Sequence, residues 1–216
     1  MGPKGRISRK NAIIVAGVAA AFLAGGLYYA LTSFEQHDRW TTEGRSGRAL
    51  VGGPFSLIDQ TGATRTDADF RGHLMLIYFG YTHCPDACPL ALQTMSDAID
   101  ALGEKGATVA PIFITVDPAR DTPDHLKSYL ENFSPRLTAL TGDESAIANV
   151  AKAYRIFYAK ANDPQKPANS TESGHDDYLV DHSSFIYLMG RDGQYLTHFP
   201  GNAPPDQLAD GIRKFL

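Results

Sequence analysis

Two cysteines, the only ones among 216 residues, stand four positions apart in Tyr81-Thr82-His83-Cys84-Pro85-Asp86-Ala87-Cys88-Pro89. A thiol pair inside one proline-flanked turn can close a disulfide, grip a soft metal ion, or alternate between the two. A bridge between such near neighbours constrains little of the unfolded chain, so a purely structural disulfide is the weaker explanation. The spacing is wider than the Cys-x-x-Cys of redox proteins and leaves room for an ion between the sulfurs. Two thiolates leave Cu(I) room for a third ligand, and imidazole beside soft sulfur is a combination copper accepts. Of the seven histidines, His182 directly precedes a predicted strand, at an edge where the loops of α/β sheets converge on ligands. His37 falls in a polar tether, His73 precedes a strand, His83 abuts Cys84 and is expected to turn away from it, and His125 lies in the first turn of a helix. His175 sits in a polar excursion and His198 ends a strand. A lone histidine at a strand end is more often a hydrogen-bonded structural residue than a ligand, so the residues alone leave His182 a candidate and no more.

These groups need elements to hold them. Leu74 to Gly80 is a dense apolar run without alternation, as in a strand buried on both faces. Pro89 is expected to open a helix that reaches Leu102 and stops at Gly103, which places both cysteines at its N-terminus, where the helix dipole favours thiolate. Val109 to Val116 predicts a second buried strand, and Thr122 and Pro123 predict an N-capped helix toward Leu130. A strand and turn around Phe55 to Gly62, a short strand at Leu137 to Leu140 and a helix at Asp143 to Tyr154 follow the same logic. A hairpin from Ser184 to His198 turns at Gly190-Arg191-Asp192-Gly193, and Pro205 to Leu216 reads as a closing helix. Alternating strands and helices predict an α/β layered domain with a central sheet, helices on both faces and a C-terminal antiparallel hairpin, a layout that resembles thioredoxin. Tyr158 to Tyr178 encloses a polar excursion longer than most connections.

Lys4, Arg6, Arg9 and Lys10 fill a basic segment at 1–11, and Ala12 to Leu31 follows without a charge. At about 1.5 Å per residue such a run spans a bilayer core of about 30 Å, whereas a cleavable signal needs only about 7 to 15 apolar residues. The expectation is a transmembrane anchor at 12–31, a tether at 32–49 and one folded domain at 50–216. Basic residues before the span and Glu35 and Asp38 after it point the N-terminus to the cytoplasm and the domain outside it. Beyond residue 34 the chain carries all 24 acids but 16 of the 20 Lys and Arg, a net charge of −8 that disfavours nucleic acid as a partner.

Three motifs in order, Tyr81 to Pro89, then Val116-Asp117-Pro118-Ala119-Arg120-Asp121-Thr122-Pro123, then Val180-Asp181-His182-Ser183, resemble the Sco/SenC family of membrane-tethered copper proteins. The resemblance spans about Leu50 to Leu216 and implies a thioredoxin-like fold with Cys84, Cys88 and His182 as copper ligands, for Cu(I) and also Cu(II). It further implies a non-enzymatic chaperone that receives copper from a donor and delivers it to the dinuclear centre of cytochrome c oxidase subunit II. The setting would be a bacterial inner membrane facing the periplasm, or a mitochondrial inner membrane facing the intermembrane space. Asp117 and Asp121 either decorate a strand-to-helix turn beside Arg120 or, as the resemblance suggests, help Asp86 dock the acceptor. An enzymatic alternative uses the same thiols: an oxidoreductase that reduces the acceptor's cysteines before copper enters. A copper or redox sensor is a third reading.

Overall fold

The computed structural model describes residues 51–161 and 178–216. The anchor expected at 12–31, the tether at 32–49 and residues 162–177 of the excursion lie outside the described residues. Among the described residues no helix is long and apolar enough to cross a membrane.

The described chain opens with β1 (Ser56–Asp59), which turns back antiparallel onto β2 (Thr64–Thr66). Asp59 organises the turn. Its buried carboxylate accepts hydrogen bonds from the Thr61 and Ala63 amides, the Thr61 hydroxyl and Arg65 Nε. Then follow β3 (Leu74–Gly80), α1 (Ala87–Ala101), β4 (Val109–Thr115), α2 (Pro123–Leu130), β5 (Thr138–Thr141) and α3 (Glu144–Ala153). A small ribbon of β6 (Tyr158–Lys160) and β7 (Val180–His182) precedes β8 (Phe185–Met189), β9 (Tyr195–Pro200) and α4 (Pro205–Arg213).

Seven strands form the main sheet in the order β2-β1-β5-β4-β3-β8-β9. The β3, β4 and β5 strands run parallel, and β8 and β9 are antiparallel to their neighbours. The apolar run of β3 is buried at every position because it sits inside this sheet with helices on both faces. Strand alternation separates the faces. Tyr78 and Gly80 share a face with Phe113, Cys88 of α1 and Tyr129 of α2. On the other face Phe79 packs against Tyr154, the cap of α3, and Tyr187. The layered α/β expectation therefore holds, with α1 and α2 on one face and α3 on the other.

Local chemistry sets the helix boundaries. Thr122 caps α2 by accepting from the His125 amide, and Asp143 caps α3 by accepting from the Ala146 amide. The start of α1 is a correction: the helix begins at Ala87, ahead of Pro89. First-turn amides have no partner within a helix, so a proline at the third position removes nothing, and Cys88 comes to lie inside the first turn. The closing helix stops at Arg213, short of Leu216. The sequence reading missed the β6–β7 ribbon altogether: His182 stands just ahead of β8 as expected, and it also ends β7.

Candidate metal centre

Gly80 ends β3 where α1 crosses closest. A Cβ at this position would stand 2.7 Å from Cys88 Sγ, 3.0 Å from the Tyr78 ring and 3.1 Å from the Phe113 ring. The missing side chain is what lets the helix start, and Cys88 with it, lie against the sheet. Cys88 is fully buried and Cys84, in the loop before the helix, is half-buried. The Cys88 amide donates to Cys84 Sγ at 3.4 Å, so the free N–H groups of the helix start face one of the two sulfurs.

The third group arrives on the ribbon. Tyr158 pairs with His182 across β6 and β7, the Ser183 amide donates to the Phe157 carbonyl, and the Phe157 amide donates to Ser183 Oγ. His182 Nδ1 lies 3.2 Å from the Ser183 carbonyl, which can only accept, so Nδ1 is the donor there and Nε2 is the nitrogen turned toward the cysteines. That Nε2 stands 3.4 Å from Cys88 Sγ. Tyr78 and Tyr81 meet the imidazole edge-on, at 6.0 and 5.9 Å between ring centres, and fix its plane. Tyr81 Oη also accepts from the Val180 amide and ties the ribbon to the cysteine loop.

The two sulfurs and the imidazole nitrogen all lie within 4.8 Å of one another. Bonds of about 2.0 to 2.3 Å from thiolate and imidazole to a first-row ion put trigonal donors about 3.5 to 4 Å apart. Small side-chain rotations therefore close the set on one ion. The protonation pattern suits this use. The hydrogen bond from Cys88 outweighs burial and holds the Cys84 thiol down at about 3. Cys88 is driven the opposite way by that same hydrogen bond and by its burial. One thiolate and one thiol thus share a proton until a soft ion displaces it. The same pair can also be oxidised to a disulfide.

The family model described as SCO1/SenC matches residues 43–216. The chain belongs to the SCO1/SenC family. Protein sco1 of Schizosaccharomyces pombe is 41% identical over 209 residues, covering 92% of this chain and 76% of its own. The structure of Bradyrhizobium japonicum ScoI with copper bound matches with a TM-score of 0.67 at 42% identity, covering 77% of this chain and 99% of that one. BsSco, described with a disulfide switch as a member of the Sco family of cytochrome c oxidase assembly proteins, matches with a TM-score of 0.58 at 26% identity, covering 77% of this chain and 94% of its own.

In this SCO1/SenC chain the motif after β4 braces the cysteine loop from within. Asp121 is fully buried; its carboxylate accepts from the Thr82 amide and hydroxyl and from the Thr115 hydroxyl. Burial raises its pKa and these donors oppose the rise. Asp117, also buried, accepts from Tyr178 Oη and Arg120 Nε, both at 2.5 Å. The Arg120 guanidinium lies 3.6 Å from the Tyr178 ring centre and 5.7 Å from that of Tyr81. Both carboxylates are engaged inside the fold, which corrects the expectation that Asp117 and Asp121 reach out to dock an acceptor. Asp86 does stand exposed at the cap of α1, with no hydrogen bond from its side chain to the helix. Sequence reasoning overlooked Tyr78, Tyr81 and Tyr178, and read Arg120 as a partner of the two acids in the turn, which its ion pair with Asp117 bears out. Tyr81 lay inside the quoted motifs, whereas Tyr178 carried no local signal.

Proposed function

We propose that this chain is a copper chaperone that holds Cu(I) between Cys84, Cys88 and His182 and passes it to an acceptor by ligand exchange. The observation that carries the reading is the approach of two sulfurs and one imidazole nitrogen within 4.8 Å at the end of the sheet. Soft sulfur selects Cu(I), and a low coordination number leaves a face open to an incoming thiolate. Copper in the B. japonicum relative supports the choice of metal. The acceptor is the dinuclear copper site of cytochrome c oxidase subunit II, a reading supported by the description of BsSco as an oxidase assembly protein. The chain would be anchored by residues 12–31 with the domain at 50–216 facing the periplasm, or the intermembrane space in a mitochondrion, and would be loaded by a separate copper donor. Cu(II) on the same ligands is a second loading state, and Asp86 is the one acidic residue of the three left to meet the acceptor.

Competition for Cu(I) against a chelator, with thiols kept reduced, tests this reading. Replacing His182 by Ala should weaken retention by about tenfold or more, since even partners that only orient a ligand cost about 10- to 100-fold when lost. Unchanged retention removes His182 from the site.

The lowered pKa of Cys84 beside a second thiol favours one rival, a thiol-disulfide oxidoreductase that prepares the acceptor's cysteines. Anaerobic reduction of an oxidised acceptor peptide that persists in the metal-free His182→Ala chain would select it.

A further inference from the structure

His83, Asp121 and His125 form a second cluster, on the outer side of the cysteine loop. Their ligand atoms also lie within 4.8 Å of one another. Three elements bring them together: His83 comes from the loop after β3, Asp121 from just before the cap of α2, and His125 from the first turn of α2. The imidazoles stack at 5.2 Å between centres with 11° between planes. His83 Nδ1 stands 3.9 Å from Asp121 Oδ1, too far for a hydrogen bond. The carboxylate cannot drift, because Thr82 and Thr115 hold it inside the fold, while both histidines are exposed and only His83 has a side-chain tie, from Nδ1 to Thr82 Oγ1 at 3.1 Å.

We propose that His83, Asp121 and His125 are a surface site for a divalent first-row ion, Cu(II) above all. The donor set carries the assignment. Two imidazoles and one carboxylate lack the sulfur that selects Cu(I), and they suit borderline divalent ions, among which Cu(II) binds most tightly by the Irving–Williams order. Bonds of about 2.0 to 2.2 Å from nitrogen and oxygen require donors about 3 to 3.5 Å apart. Rotation of the two exposed rings about a fixed carboxylate closes the observed gaps. His83 adjoins Cys84 in the chain, so a site for hard or borderline divalent ions borders one for soft monovalent ions on the same loop. The proposal does not rest on the Cu(I) assignment, and either can fail alone.

Titration of the full-length chain with Cu(II), in a Cys84→Ser, Cys88→Ser background to prevent reduction by thiols, tests the site. The expected result is one bound equivalent whose electron paramagnetic resonance spectrum shows coordinated imidazole nitrogen. Adding His125→Ala should weaken binding by about tenfold or more, and adding His198→Ala, far from the cluster in sequence, should not. Should the double serine chain not fold, the Cys84→Ala, Cys88→Ala chain, which buries no hydroxyl at position 88, serves for the same titration. Affinity and spectrum unchanged by His125→Ala, or binding lost with His182→Ala instead, would overturn the proposal. Cu(I) retention by the wild-type chain, measured separately, reports on the thiol site alone.

Discussion

Replacing Gly80 by Ala probes the link between fold and site. The new Cβ would stand 2.7 Å from Cys88 Sγ, with aromatic carbons of Tyr78 and Phe113 at 3.0 and 3.1 Å. Ordinary contact begins near 3.5 Å or beyond, so either α1 must lift from β3 by most of an ångström or the sulfur must swing aside. All three neighbours are fully buried, so none can move into solvent. Overpacking of this kind costs about 1 to 3 kcal/mol. For a domain of this size that corresponds to a fall in Tm of roughly 2 to 12 °C, read by calorimetry with thiols reduced. A displaced Cys88 also spoils its approach to His182 Nε2 at 3.4 Å, so Cu(I) retention should fall together with stability. The control is Gly62→Ala, where an added Cβ meets nothing within 4 Å although the positive φ brings backbone strain of its own. It should cost stability without loss of Cu(I). A Gly80→Ala chain with unchanged Tm and unchanged Cu(I) affinity would refute the claim that this glycine admits the cysteine helix.

Other consequences are open to simpler assays. With Cys84 held at about 3, iodoacetamide should label Cys84 alone at pH 5, read by peptide mass spectrometry, whereas a rate falling tenfold per unit below pH 8 contradicts the assignment. Depression of this thiol also stabilises the fold; that contribution is complete only above the unfolded pKa of 9.0 and is lost as pH falls toward 3. For Asp59, burial opposes the charge but hydrogen bonds from Thr61, Arg65 and Ala63 hold the carboxyl at about 2 against an ordinary 3.8. Its contribution is therefore present above pH 4 and lost as pH falls through 2, and Asp59→Asn should flatten that limb of the Tm profile. Tyr178→Phe removes a donor from buried Asp117 at a cost of about 1 to 3 kcal/mol. Amide exchange at Val180 should quicken in that variant while exchange in β3 does not.

What the sequence made legible follows from where the signal was local. The apolar run of β3, the Thr122-Pro123 start of α2 and the Gly190 to Gly193 hairpin turn each declare themselves within a few residues, and all three are found as expected. The convergence of Cys84, Cys88 and His182 was expected through the resemblance of three motifs rather than from geometry. The ribbon escaped notice because two strands of three residues each, separated by a polar stretch, leave no periodicity to read. The burial of Asp117 and Asp121 was equally hidden. Their partners Tyr178 and Thr82 lie 61 and 39 positions away, and an acid on a turn looks the same in sequence whether it faces water or the core. His83 and His125 were read separately, as a neighbour of Cys84 and a helix-start residue, because only the fold stacks them.

The two kinds of donor stand on supports of unequal firmness. Cys88 belongs to a helix packed on the central strands, and moving it means disturbing buried Gly80, Tyr78 and Phe113 together. His182 belongs to a ribbon outside the main sheet, fastened by the Val180 amide to Tyr81, by the Tyr178 hydroxyl to Asp117 and by the stacked Arg120 guanidinium. Segments with few buried apolar contacts open at lower free energy than the core that carries them. On the proposed chaperone reading, the imidazole would be the ligand that leaves first, opening a face toward an incoming thiolate while the thiol pair keeps its grip. The Asp117, Arg120 and Tyr178 cluster would set how readily that happens, since Tyr178, two residues before β7, is held there by the Asp117 carboxylate and the Arg120 guanidinium.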